Sequence, residues 1–352
     1  MNNDEINDKR TIEEFRSVTF SEYSRSKVKK ILLESLIKGE IEPACYWSAE
    51  LICSGLYQDI WEIIILYTSR YIYVSNPRLP LYIELRLENF REIINNGFSD
   101  NILKLRNNEK TRKLFAELIS MLCFSKKRHA FESLNIKDKE EFNIAKLTTK
   151  LKAPNVDYAK NSFKKDDPRE LLICINEFAY HLSKDSKDII QACYWIEWLI
   201  EYENICKSKK IKCQCERRLF ASVDDKFQME IIWIIWDAIL SESEKRDKNI
   251  NKIIKSLLNL FCIKYSSGCK KRRKYILYFA CNLLTEKIDI SIPIIKEKHK
   301  IEIIVNKINI IYREIKKCEI KPDTDYLFNG LEKNNIEKTI EKIDKMNEMM
   351  NI

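Results

Sequence analysis

An all-α, multi-helical fold is the expectation from this sequence, and three observations carry it. The 352 residues include only 5 Gly and 7 Pro. That is too few for the tight turns of most sandwiches and barrels, or for the phosphate loops of Rossmann and P-loop enzymes. Apolar residues recur at spacings of three and four over 28–36, 44–51, 60–67, 251–262 and 331–346, the period of a helix with one buried face. Hydrophobic residues make up 45% and charged residues 33% of the chain, so there is apolar surface to bury and polar surface to face water.

Taken in order, residues 1–23 are polar and are expected to be a flexible N-terminus. The first module is expected over 24–135. Val28, Ile31, Leu32 and Leu36 make one apolar face, and Gly39 ends that helix. Pro43 suits the first turn of the next helix, whose inner line is Ala44, Trp47, Ser48 and Leu51 before Gly55 stops it. Asp59 is the expected N-cap of a third helix, with Ile60, Ile63, Ile64 and Tyr67 inward. Trp47 and Trp61 are expected on adjacent inner stripes across the reversal at Gly55. Asn76-Pro77 and Leu79-Pro80 break the chain, and helices near 80–95 and 109–124 follow, parted by Asn95-Asn96-Gly97.

Residues 136–168 read as a linker with one short helix. A second helical block is expected over 169–240. A basic helical region is expected over 241–352, ending in an amphipathic helix at 331–349 with Leu331, Ile336, Ile340, Ile343 and Met346 on one side. One motif repeats: Ala44-Cys45-Tyr46-Trp47 returns as Ala192-Cys193-Tyr194-Trp195, and each copy precedes a Trp/Ile-rich helix, 61–67 and 231–237. Duplication of a helical unit would produce this.

The formal net charge is +9, and it is local. Residues 241–300 hold 15 Lys/Arg against 6 Asp/Glu, so the remainder is neutral and one polyanion-facing surface is the expectation. The densest run is Lys270, Lys271, Arg272, Arg273 and Lys274, beside Tyr265, Tyr275 and Tyr278. Basic groups displace counterions from phosphates, and tyrosines stack on bases. The five residues are therefore the predicted DNA- or RNA-binding site. Lesser runs are Lys126-Lys127-Arg128 and 207–212 with Arg217-Arg218. The paired acids Asp166-Asp167 and Glu201/Glu203 read as a cap and a solvated face.

No Gly-rich phosphate loop, His-Glu-x-x-His or EF-hand pattern occurs, and no catalytic residue or cofactor is predicted. Cys206, Cys213 and Cys215 are the best metal candidates, with His181 or Cys193 as a fourth ligand. Zinc sites favour Cys-x-x-Cys pairs, which are absent, so no metal site is predicted. The twelve Cys mostly fall in apolar helical runs, as reduced thiols do. With a polar, charged start (MNNDEINDKR), this predicts an intracellular protein. Apolar stretches reach about ten residues, half of the ~20 a membrane span needs. The abundance of Ile, Asn and Lys matches AT-rich coding, as in some large DNA viruses or parasites.

Residues 28–135 resemble the C-terminal helical collar domain of the MgsA/RarA (WRN-helicase-interacting) replication-fork ATPases of the clamp-loader AAA+ clade. The matching residues are Lys38-Gly39, Ala44-Cys45-Tyr46-Trp47, Ala49, Gly55, Ser69 and Asn76-Pro77-Arg78-Leu79. Further along they are Ala116-Glu117, Leu122-Cys123, Ser125-Lys126-Lys127 and Ala130-Phe131. The ATPase part has no counterpart and no Walker motif exists, so ATPase activity is not carried over. What the resemblance implies is oligomerisation, with Trp47, Trp61, Asn76, Pro77 and Arg78 in structural or partner-binding roles. The resulting expectation is a non-enzymatic scaffold of DNA replication or repair, partnered by itself, by AAA+ or replisome proteins, and by DNA or RNA. The alternative is a HEAT-like adaptor or virion component.

Overall fold

The computed structural model of this chain describes residues 4–132, 134, 136, 142 and 147–320. Among these the fold is all-α: thirteen α-helices, no strand, and one isolated bridge between Val18 and Ser24. The tail helix expected at 331–349 lies outside the described residues.

The first unit is α1 (Arg25–Lys38), α2 (Ile41–Cys53), α3 (Tyr57–Tyr67), α4 (Leu79–Asn95) and α5 (Glu109–Phe124). Gly39 ends α1 at φ 78°, its amide bonded to the Leu36 and Ser35 carbonyls, a conformation that costs glycine little. Gly55 turns the chain at φ 72°, and an added Cβ would stand 2.9 Å from Leu103 Cδ2. Asp59 is not the cap of α3. It sits in the first turn and takes Arg25 at 2.5 Å and Lys29 at 2.9 Å, tying α3 to α1. Pro80 does not break the chain either; it lies in the opening turn of α4, where no backbone donor is needed.

The second unit is α6 (Leu172–Leu182), α7 (Ile189–Ser208), α8 (Ile232–Glu244), α9 (Lys248–Cys262), the single turn α10 (Cys269–Arg272) and α11 (Lys274–Thr285). No boundary falls at 240. Ile253, Ile254, Leu257 and Phe261 of α9, and Ile276 and Leu277 of α11, share one core with Trp195, Trp233 and Trp236. Residues 286–297 then return to the first unit. There α12 (Lys298–Lys307) packs on α5 and α13 (Asn309–Lys316) packs on α2, burying Ile301, Ile308, Tyr312 and Ile315. The region 241–352 is therefore split between two cores by its apolar stripes.

Two segments expected to be loose are held. Near the N-terminus, Phe15 and Phe20 are buried under the Arg10 guanidinium, 5.0 and 4.8 Å from the ring centres. Ile6 exchanges both backbone bonds with the Asn107 amide, at 2.9 and 2.8 Å. In the described part of 136–168, buried polar side chains of α6 hold the backbone. Glu177 accepts the Lys152 and Ala153 amides at 2.9 Å each, and Asn176 accepts Ala159 N–H at 3.1 Å. The described part of the expected linker is thus a flap of the second unit.

The two units share a packing scheme. In the first, α1 packs on α2 and α3, α2 on α3, and α5 on α1, α2 and α4. In the second, α6 packs on α7 and α8, α7 on α8, and α11 on α6, α7 and α9, but α8 also packs on α9 and α11, where α3 has no comparable backbone contact with α4 or α5. The Ala-Cys-Tyr-Trp motif occupies the same fourth to seventh positions of α2 and α7. Cys45 faces Ser120 of α5 at 3.7 Å, while Cys193 lies close to Cys281 of α11. The units meet through α4 on α9 and through 68–75 on α11.

Candidate nucleic-acid interface

The basic run 270–274 does not form one surface. It straddles α10 and the start of α11, so successive side chains point in different directions. Lys270 is only 2% exposed. Its ammonium is held by Glu203 of α7 and, at 3.1 Å, by Glu230. Lys207 also reaches Glu203, at 2.9 Å. Burial alone would raise the Glu230 pKa; Lys270, Ser267 and Tyr265 outweigh it and hold the carboxyl low. Arg273 is buried and donates to the Phe261 and Ile263 carbonyls at 2.7 and 2.6 Å. Lys274 pairs with Glu197 at 2.8 Å. Lys271 and Arg272 alone are exposed, with Glu201 and Glu62 at 3.9 and 3.8 Å. Three of the five cations therefore anchor the second unit, and the predicted five-residue site is not assembled. Glu203, expected on a solvated face, is one of the anchors.

The Asn-Pro-Arg turn is also directed inward. Asn76 Nδ2 donates to the Ile294 carbonyl at 2.9 Å, and Arg78 Nη2 to the Ile292 carbonyl at 2.8 Å. Pro77 is buried between them. The turn clasps this chain's own strap, 286–297. Trp61 is buried against Phe90 and Phe115, with ring centres 5.9 and 5.5 Å away. Trp47 is only half-buried and packs edge-on to Tyr23 and Tyr46, at 5.3 and 5.2 Å. It stands at the rim of the first core, unlike its repeat counterpart Trp195, which is fully enclosed.

The thiols do not converge on a metal geometry. Among the described residues no group of three or more His, Cys, Asp or Glu is placed to hold an ion. Cys215 donates to the Glu230 carbonyl at 3.2 Å. His181 faces Ser186 at 3.0 Å and Glu177 at 3.6 Å. Burial pushes the Cys213 and Cys215 thiols up to about 12.

Tertiary structure assembles a different basic surface. Lys126, Lys127 and Arg128 follow α5, and Lys296, Lys298 and Lys300 lie at the start of α12. The two runs are distant in sequence. They approach at Lys126 and Lys296 because α12 packs on α5 and Asn76 fixes the strap at Ile294. Lys126 and Lys296 line one small cleft. The first run is pinned by backbone bonds from Arg128 to Tyr71 and from Ala130 to Arg70, at 2.9 and 2.7 Å. Among the described residues two acids pair with these cations: Glu286 takes Arg128 at 3.2 Å and Glu297 takes Lys300 at 3.1 Å, while Lys298 lines a separate cleft with Glu92, Glu117 and Glu302. Tyr71, with His129 edge-on at 5.2 Å, gives the patch an aromatic margin. The sequence signal for the second run, Lys296-Glu297-Lys298-His299-Lys300, is present but weaker than the adjacent 270–274 run.

No protein-family model, curated protein or solved structure matches this chain. Among the described residues no helix is long and apolar enough to cross a membrane.

Proposed function

We propose that this protein is a non-enzymatic helical scaffold that contacts nucleic acid through the surface formed by 126–128 and 296–300. The observation that carries this reading is the meeting of two sequence-distant basic runs at Lys126 and Lys296, with four of the six cations (Lys126, Lys127, Lys296 and Lys298) having no ion-pair partner among the described residues. Such a patch binds phosphates without reading sequence. The collar-like resemblance of 28–135 supports a place in DNA replication or repair, beside AAA+ or replisome partners. The paired units and half-exposed Trp47 are compatible with protein docking at the first unit.

The test is a titration of duplex and single strands from low to physiological salt. With about four phosphate contacts, log K should fall with log salt at a slope of roughly −3 to −4 on duplex DNA. Replacing Lys126, Lys127, Lys296 and Lys298 with Gln should flatten the slope, whereas Lys271→Gln with Arg272→Gln should leave most of it. Salt-independent or undetectable binding by the parent protein refutes the nucleic-acid reading. A pull-down that returns clamp, clamp-loader or helicase proteins supports the replication setting; capsid proteins would favour the virion alternative.

A further inference from the structure

A cavity of about 310 Å³ lies where the two units meet. Leu56, Trp61, Leu87, Phe90 and Ile94 form its wall, and Ile263, just past the end of α9, closes it. It is open to solvent along one rim, where Ile12, Gln58, Arg91 and Lys264 are exposed. Its volume falls at the lower end of small-molecule sites, about 300–1,000 Å³.

The charges at its edge are unbalanced. Arg273 lines the cavity, is buried, and has no carboxylate within ion-pair distance among the described residues; its bonds go to the carbonyls of Phe261 and Ile263. A buried cation without an anion is costly. Lys264 lines the same cavity, also without an ion-pair partner among the described residues, and its backbone is left-handed at φ 40°. Such strain in a non-glycine residue persists only where surrounding structure imposes it, and it concentrates at functional sites. The other lining cations are matched, Arg25 by Asp59 at 2.5 Å and Arg91 by Glu88 at 2.6 Å. The lining acid, Glu62, faces Arg272 at 3.8 Å and also lies within the electrostatic reach of Arg273 and Arg25, beyond ion-pair distance, so one carboxylate serves several cations.

We infer that this junction binds a small monoanionic amphiphile, a hydrocarbon body carrying one carboxylate. The body fills the wall formed by Trp61 and Phe90, and the carboxylate supplies the anion that Arg273 and Lys264 lack. Size sets the class. A volume at the lower end of the small-molecule range suits a medium-chain or aromatic carboxylic acid. A bound ligand would touch both units at once and so stabilise their mutual arrangement. The site is separate from the polyanion surface at α5 and α12, and either can fail without the other.

Isothermal titration of the full chain with decanoate, decanol and acetate tests this, at concentrations below micelle formation. Decanoate should saturate at one per chain and bind at least tenfold more tightly than decanol, with acetate undetected. Ile94→Trp, which fills the cavity, should abolish binding while the protein still melts cooperatively. Lys264→Gln and Arg273→Gln should each bring decanoate towards the affinity of decanol. Arg273→Gln also removes the contacts at the end of α9, so Lys264→Gln carries the charge test where that variant fails to fold. The inference is overturned by equal affinity for decanoate and decanol, by binding that survives Ile94→Trp, or by no saturable binding. In the last case Arg273 acts only as a cap on the carbonyls at the end of α9.

Discussion

Arg218 offers the sharpest test of how the second unit is held. Its guanidinium is fully buried and uses all five N–H donors. Two reach the Asp167 carboxylate, at 3.0 and 2.6 Å, and one reaches Asp237 at 2.6 Å; the others meet the Glu216 and Ser162 carbonyls at 2.8 and 2.9 Å. Asp167 is equally enclosed. The cluster joins the flap before α6, the loop before α8, and α8 itself. Arg218→Met removes the cation and leaves a buried carboxylate without a partner. Breaking such a pair from one side costs about 3–5 kcal/mol, a large share of a usual stability of about 5–15 kcal/mol. In a domain of this size that is a fall in melting temperature of roughly 6–20 °C. Urea and thermal unfolding followed by circular dichroism would measure it. The loss should be smaller at pH 5 than at pH 8, because an orphaned carboxyl can protonate and shed its buried charge. Asp237 already leans this way: burial holds its pKa above the ordinary value despite Arg218. Adding Asp167→Leu to Arg218→Met should recover much of the loss. A single variant that costs under about 1 kcal/mol would refute the reasoning, since the side chains would then be solvated rather than paired in the core.

Three further outcomes follow from the same structure. Burial would raise the Glu177 pKa, but His181 and the amides of Lys152 and Ala153 outweigh it and hold it below the ordinary 4.5; with Glu230 shifted the same way, stability should be full above about pH 4.5 and fall as pH drops through the lower folded values. A flat unfolding profile between pH 5 and 3 would contradict this. Eleven of the twelve thiols are buried and Cys318 is exposed, so a thiol reagent should label one Cys in the native protein and twelve in denaturant; fast labelling of several native thiols would show that the helices are not packed as described. Trp61→Ala should cost about 3–5 kcal/mol through lost burial and a cavity, while Trp47→Ala, at a half-exposed rim, should cost about 1–2 kcal/mol; equal costs would place Trp47 inside the core.

What the sequence determined by itself was the local structure. Scarce glycine and proline and a 3.6-residue apolar period were enough for an all-α fold. Gly39, Gly55 and Pro43 acted where predicted because their constraints are backbone properties that need no distant partner. The two copies of Ala-Cys-Tyr-Trp fall at the same helical positions in α2 and α7, yet Trp47 stays at a rim while Trp195 is enclosed. Tertiary structure decided what each charge does. Asp167 and Arg218 read as a cap and a basic run, yet they enclose one another. Lys270 and Glu203 read as a phosphate contact and a solvated acid, yet they form a buried pair. Charge in a one-dimensional pattern carries no sign of what lies opposite, and Coulomb attraction acts between residues that are neighbours only after folding. The same limit hid the surface of 126–128 and 296–300, which exists only because α12 returns to pack on α5. It also moved the boundary from 240 to 285, since an apolar stripe shows that a helix must be covered but not which core will cover it.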